Sequence, residues 1–184
     1  KLIKWENDDE ELFKWIEYLL NYNDDIKFIG DTGMYFLPYI ELIIKKYDNV
    51  KIIGLEREKN EVINSFLKKT DGRNHWYSHN GNEWKLDQRW DPCFPKYQIK
   101  DKRKAIEKYY DNYIETTNNL KIKYPNNIKI WKLSDFNNTK TKNEILDFIS
   151  YDNNRIIEKE FKKNTKMKSQ RELILNKIKE WFSA

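Results

Sequence analysis

At 184 residues the chain has the length of one domain and enough sequence to bury a core, and seven Trp and twelve Tyr within a 15% aromatic content argue for a packed protein rather than a disordered one. The net charge of +5, from 35 basic and 30 acidic side chains of mixed order, suits a local anionic ligand and lacks the concentrated basic stripe expected of a nucleic-acid binder. Cys93 is the single cysteine and there are two His, which excludes an internal disulfide and argues against a zinc site, so no metal is expected.

No apolar run approaches the ~18 residues of a membrane span, and the start does not read as a signal peptide. With one cysteine, the expectation is a soluble, cytoplasmic protein with no membrane partner.

In chain order, Leu12, Phe13, Trp15, Ile16, Leu19 and Leu20 have helical spacing. They predict a helix over 10–22 with Asp8 or Asp9 as N-cap. Ile26, Lys27, Phe28 and Ile29 read as a short buried strand, stopped by Gly30-Asp31-Thr32-Gly33, a turn with two flexible glycines. Pro38 stands near the start of a helix that runs through Leu42, Ile43 and Ile44 to Tyr47, and Asp48-Asn49 turns the chain. Residues 50–55 read as a second strand, and 58–69 as a helix with Val62, Ile63, Phe66 and Leu67 on one face. Strand, helix, strand, helix is a βαβα unit, for which parallel strands and a right-handed crossover are expected. Ligands of such sheets bind beyond the carboxyl ends of the strands, where 30–33 and 56–58 fall.

Over 70–97 the periodicity breaks. Trp76, Tyr77, Trp84, Trp90, Phe94 and Tyr97 predict an ordered loop, serving either to cover the sheet edge or to bind substrate. A helix is predicted over 101–124, ended by Pro125, and a third strand over 128–133. Thr141 is the expected cap of a further helix, with Glu144 at the capping-box position. Residues 168–182 read as an amphipathic tail. The whole is expected to be one domain over 1–184, of α/β class, with a parallel sheet flanked by helices.

Arg57 and Ser65 carry the most chemistry. Arg57 follows a buried strand, and Ser65 stands eight positions on, in the next helix. A strand-end guanidinium offers a fixed fork of donors, a helical Ser adds a hydroxyl, and the helix N-terminus adds backbone N–H groups. Those are the parts that grip a phosphate dianion.

The run Val50-Lys51-Ile52-Ile53-Gly54-Leu55-Glu56-Arg57, followed by Ser65, resembles the second cofactor motif of the sulfotransferases. Upstream, Phe28 to Ile40 is similar to the family's preceding strand, turn and helix. Downstream, Trp90 to Tyr97 and Ala105 to Tyr113 resemble its aromatic loop and tyrosine-bearing helix, and Ile128 to Ile149 its late strand, acidic turn and helix. The resemblance covers about 26–149. It implies a P-loop nucleotide-hydrolase-like sulfotransferase fold in which Arg57 and Ser65 hold the 3′-phosphate of 3′-phosphoadenosine 5′-phosphosulfate. It further implies transfer of a sulfuryl group to a hydroxyl or amine acceptor. Lys59 stands where the family often has Pro. Nothing here matches the family's opening phosphosulfate loop, which either lies upstream of Lys1 or is lacking.

Such transfer needs a base for the acceptor's proton and cations on the leaving phosphate. Asp31, at the strand end, is the first candidate base, and His75, in the aromatic loop, is the second, with His79 as its loop neighbour. Lys162 and Lys163, beside Lys166 and Lys168, are candidates for a cofactor-phosphate clamp. The aromatic loop suits a small-molecule or carbohydrate acceptor. The alternatives are a non-catalytic nucleotide-binding module of the same fold, or a nucleic-acid-binding module that uses its aromatics for stacking.

Overall fold

The computed structural model describes residues 2–22 and 28–151. Lys162, Lys163 and the predicted tail over 168–182 lie outside the described residues, as do Ile26 and Lys27. The chain divides into two compact units, Lys1–Phe136 and Asn137–Ala184.

Helix α1 spans Asp9–Leu20. Asp8 stands at its N-cap, but its carboxylate turns back to accept from Lys4 N–H at 2.9 Å. The helix start is instead favoured by Asp9, Glu10 and Glu11 in the first turn, which complement its dipole. The segment over 28–33 departs from expectation. Phe28 and Ile29 form no strand and are each 38% exposed. Gly33 is extended (φ −168°), so it does not serve as a flexible hinge. Its role is steric: a Cβ there would lie 2.4 Å from Tyr35 Cζ, and only glycine lets that ring fold over the backbone. A 3-10 helix, Met34–Tyr39, contains Pro38 and leads into α2, Ile40–Lys46.

Strand β1, Ile52–Glu56, pairs in parallel with β2, Ile128–Lys132, with Gly54 opposite Ile130. These are the two strands of the sheet among the described residues, and together with the surrounding helices they give an α/β architecture. At Leu55 the outward edge of β1 is already taken. Ile52 N–H donates to Asn127 C=O, so alternate residues of β1 face β2 and Leu55 faces away. Both backbone groups of Leu55 are already satisfied by one side chain: Tyr113 Oη accepts from its N–H and donates to its C=O, each at 3.0 Å.

Two long helices complete the first unit. Helix α3, Lys59–Lys69, is capped by Glu58, whose carboxylate accepts from Glu61 N–H at 2.8 Å. Helix α4, Lys102–Lys123, is capped by Asp101. They run antiparallel, since Lys59 meets Asp111 at 2.6 Å and Asn64 meets Arg103 at 3.3 Å. The second half of α4 then descends along β1 and delivers the chain to β2.

The main core joins α1, α3 and α4 through the loop over 70–97. Trp76 is fully buried, Phe94 is 4% exposed and Cys93 2% exposed, and they pack with Leu12, Ile63, Ala105, Ile106 and Tyr109. The aromatic excursion is therefore core at Trp76 and Phe94, rather than cover for a sheet edge. A smaller cluster of Leu37, Ile40, Leu120 and Ile128 closes the base of the sheet.

Glu41 ties α2 to α4. Its carboxylate accepts from Lys123 and from Lys45, each at 2.7 Å, and these ammonium groups hold it well below the usual 4.5, at about 2. A depressed folded value means the contribution to stability is present at neutral pH and fades as the pH falls from about 4.5 towards about 2. In thermal melts, Glu41→Gln should therefore lower Tm at neutral pH, and the gap to the parent chain should close as acid is added. A gap of constant size across that range would remove the ion pair as its cause.

In the second unit, α5 spans Thr139–Phe148. Asn138 caps it by accepting from Lys140 N–H at 2.8 Å. The expected cap, Thr141, lies inside the helix, because Asn138, three residues earlier, is the N-cap and takes an orphan donor there.

Candidate functional site

The carboxyl end of β1 delivers Arg57 to the start of α3. Two tyrosines of α4 fix the backbone there. Tyr113 brackets Leu55 as described, and Tyr110 donates to Arg57 C=O at 2.6 Å. Spacing of three on the helix matches spacing of two on the strand, so one helix face holds two successive outward peptide groups. Burial is the main cause that raises both phenols above their usual range, so both hydroxyls stay protonated and can donate at neutral pH.

The Arg57 guanidinium does not stand open. Its Nε and Nη2 both donate to one oxygen of Glu61, at 3.2 and 3.1 Å. The pair is exposed, 42% for Arg57 and 60% for Glu61, and such i,i+4 pairs are worth only about 0.3–0.5 kcal/mol. Ser65, half-buried, stands four residues beyond Glu61. Glu61 and Ser65 are thus i, i+4 neighbours on α3, and Arg57, just before the helix, reaches Glu61 across its first turn. A second carboxylate, that of Glu58, occupies the N-terminal donors of α3. The N–H groups of Asn60 and Glu61 hold its pKa below the ordinary carboxylate value. Lys59, at the position where the resemblance leads one to expect Pro, forms the ion pair with Asp111 and is held above its usual pKa by it.

Asp31 is exposed. It accepts from Trp15 Nε1 at 2.9 Å and from Thr32 N–H at 2.7 Å, which ties its segment to α1.

His75 is 4% exposed, so it is not a solvated loop residue. Its Nδ1 lies 2.6 Å from Asp91 Oδ1, its ring stacks on Phe94 at 5.1 Å and 10°, and its C=O accepts from Lys96 Nζ at 2.6 Å. Asp91 also accepts from Asp87 N–H at 2.7 Å. The dyad packs beside Trp76, whose ring meets Phe66. Phe66 is about 10 Å of axial rise beyond the start of α3, whereas Arg57 precedes that start. The structure therefore gives His75 a partner, Asp91, but does not bring it to Arg57.

Further along the loop, Tyr77, Ser78, His79, Asn80, Asn82 and Glu83 line an open polar depression of about 520 Å³. Lys102 is 8% exposed and donates Nζ to Thr70 C=O, and burial pulls its pKa down.

Sequence reasoning missed four contributors. Asp91 has no periodic relation to His75, and nothing in the sequence marks the pair. The roles of Tyr110 and Tyr113 depend on how α4 crosses β1, which periodicity does not reveal. Glu61 could have been found, because an acid four residues from an Arg on a helix is a legible ion-pair signal.

Among the described residues, no group of three or more His, Cys, Asp or Glu is placed to hold a metal ion, and no helix is long and apolar enough to cross a membrane. The chain matches no family model, and no curated protein or solved structure matches it.

Proposed function

We propose that this chain is a sulfotransferase-like enzyme, which moves a sulfuryl group from 3′-phosphoadenosine 5′-phosphosulfate to a hydroxyl or amine acceptor. The observation that carries the reading is Arg57 at the carboxyl end of a parallel strand, its backbone fixed by Tyr110 and Ser65 following along α3. That edge is where α/β sheets take nucleotides. A phosphate dianion makes stronger charge-assisted bonds to a guanidinium than an exposed carboxylate does, so Glu61 can give way to it.

In the transfer, the acceptor oxygen or nitrogen bonds to sulfur, the bond from sulfur to the leaving phosphate breaks, and the acceptor's proton passes to a base. Asp31 is the base in this reading. It is exposed, whereas His75 is buried with its Nδ1 at Asp91. The polar depression over 77–83 suits a hydroxyl-rich acceptor such as a carbohydrate. Lys162 and Lys163 remain the proposed clamp on the cofactor phosphates. The chemistry requires no metal.

The 3′-phosphate site is tested by calorimetry. Adenosine 3′,5′-bisphosphate should bind at least about tenfold more tightly than adenosine 5′-monophosphate, because only the former carries the group that Arg57 and Ser65 address. Equal affinities would end the proposal.

A further inference from the structure

We propose that Glu61 is a built-in occupant of the phosphate position at Arg57, a carboxylate that an incoming phosphate must displace and that tunes how tightly it binds. The inference rests on the phosphate reading of Arg57 and Ser65, and deepens it.

Three observations converge. First, the two Arg57 donors that would form one side of a bidentate grip, Nε and Nη2, are turned onto a single oxygen of Glu61. One carboxylate oxygen shared by two donors is a poorer partner than two parallel bonds to two oxygens, which a phosphate supplies. Second, Glu61 stands in the first turn of α3, the helix that also carries Ser65, so the carboxylate on Arg57 belongs to the element that would receive the phosphate. Third, the backbone N–H of Glu61 is itself taken by Glu58, so a second negative charge sits at the same helix start. Without a ligand, two donors of Arg57 and the N–H of Glu61 are therefore already met by carboxylates.

The consequence is selective. A phosphate monoester carries a charge of about −1.5 to −2 and displaces one carboxylate from Arg57 more readily than a singly charged anion does. Glu61 therefore biases the site towards doubly charged phosphate. Once displaced, it stays on the same turn of α3 and continues to repel the ligand, which keeps affinity moderate and release fast.

The test is calorimetry on the full chain with adenosine 3′,5′-bisphosphate and adenosine 5′-monophosphate as probes. Glu61→Gln keeps the size of the side chain and removes its charge. It should raise affinity for the bisphosphate about threefold to tenfold, leave the monophosphate within about twofold, and lose its gain as salt is added. Glu61 is exposed and away from the core, so the fold is retained, which circular dichroism checks. If Arg57→Ala weakens the bisphosphate but Glu61→Gln changes nothing, or improves both nucleotides equally, Glu61 is a plain surface partner and this inference falls while the phosphate reading stands. If Arg57→Ala changes nothing, the phosphate reading falls and takes this inference with it.

Discussion

Replacing Arg57 with alanine should weaken adenosine 3′,5′-bisphosphate by about 100-fold while leaving the fold intact. A hydrogen bond to a charged group is worth about 1.5–3 kcal/mol, and a guanidinium supplies two in parallel. Solvent screening at a half-exposed side chain reduces the sum to about 2.5–3 kcal/mol. The fold loses only the exposed pair with Glu61, because the backbone at this point is held by Tyr110 rather than by the Arg57 side chain. Arg57→Lys should recover only part of the loss, since a point ammonium lacks the planar fork. Ser65→Ala, which removes one neutral hydroxyl, should cost about fivefold. Titration of each variant with the bisphosphate provides the measurement, and undiminished binding by Arg57→Ala would refute the phosphate assignment.

The second large effect is on stability. Trp76→Ala should destabilise the first unit by about 3–5 kcal/mol, the range for emptying a large aromatic from a core. Trp76 is fully buried, and its ring meets Phe94 at 4.9 Å, Phe66 at 5.2 Å and Tyr109 at 5.9 Å. Its removal would therefore loosen α3, α4 and the loop together. Trp76→Phe should cost under about 1.5 kcal/mol. It keeps most of the ring contacts and removes an indole N–H that has no hydrogen-bond partner among the described residues. Urea unfolding followed by circular dichroism separates the two variants. An unchanged midpoint for Trp76→Ala would show that the loop is not part of the core.

Helices were the most legible part of the sequence, for a physical reason. In α3 and α4 the periodic apolar residues Ile63, Phe66, Ala105, Ile106 and Tyr109 face one core, and the helix expected over 101–124 spans Lys102–Lys123. The strands over 50–55 and 128–133 were legible as short apolar runs, and they do pair in parallel. Their adjacency to each other was not, because pairing depends on which edge another group has already taken. The reading of 26–29 as a strand failed at Phe28 and Ile29 for the same reason: an apolar run names a candidate, and hydrogen-bond partners decide. Gly33 shows the limit of composition. Glycine read as flexibility proved to be room for the Tyr35 ring. In the site, the strand-end position of Arg57 and the helical position of Ser65 were visible from pattern. The partner of His75 was not, because a contact between loop residues carries no period.

The hydroxyl of Tyr113 has a consequence beyond bracketing Leu55. The outer edge of a parallel strand is an invitation to any extended chain, and unprotected edges are where proteins join into aggregates. At Leu55 a single phenol gives and takes the same two bonds that a neighbouring peptide would, so it acts as a side-chain substitute for the next strand. Because the phenol is anchored on a 22-residue helix, an incoming strand would have to dislodge α4 to extend the sheet there. One residue thus holds the strand in place and guards its edge against self-association.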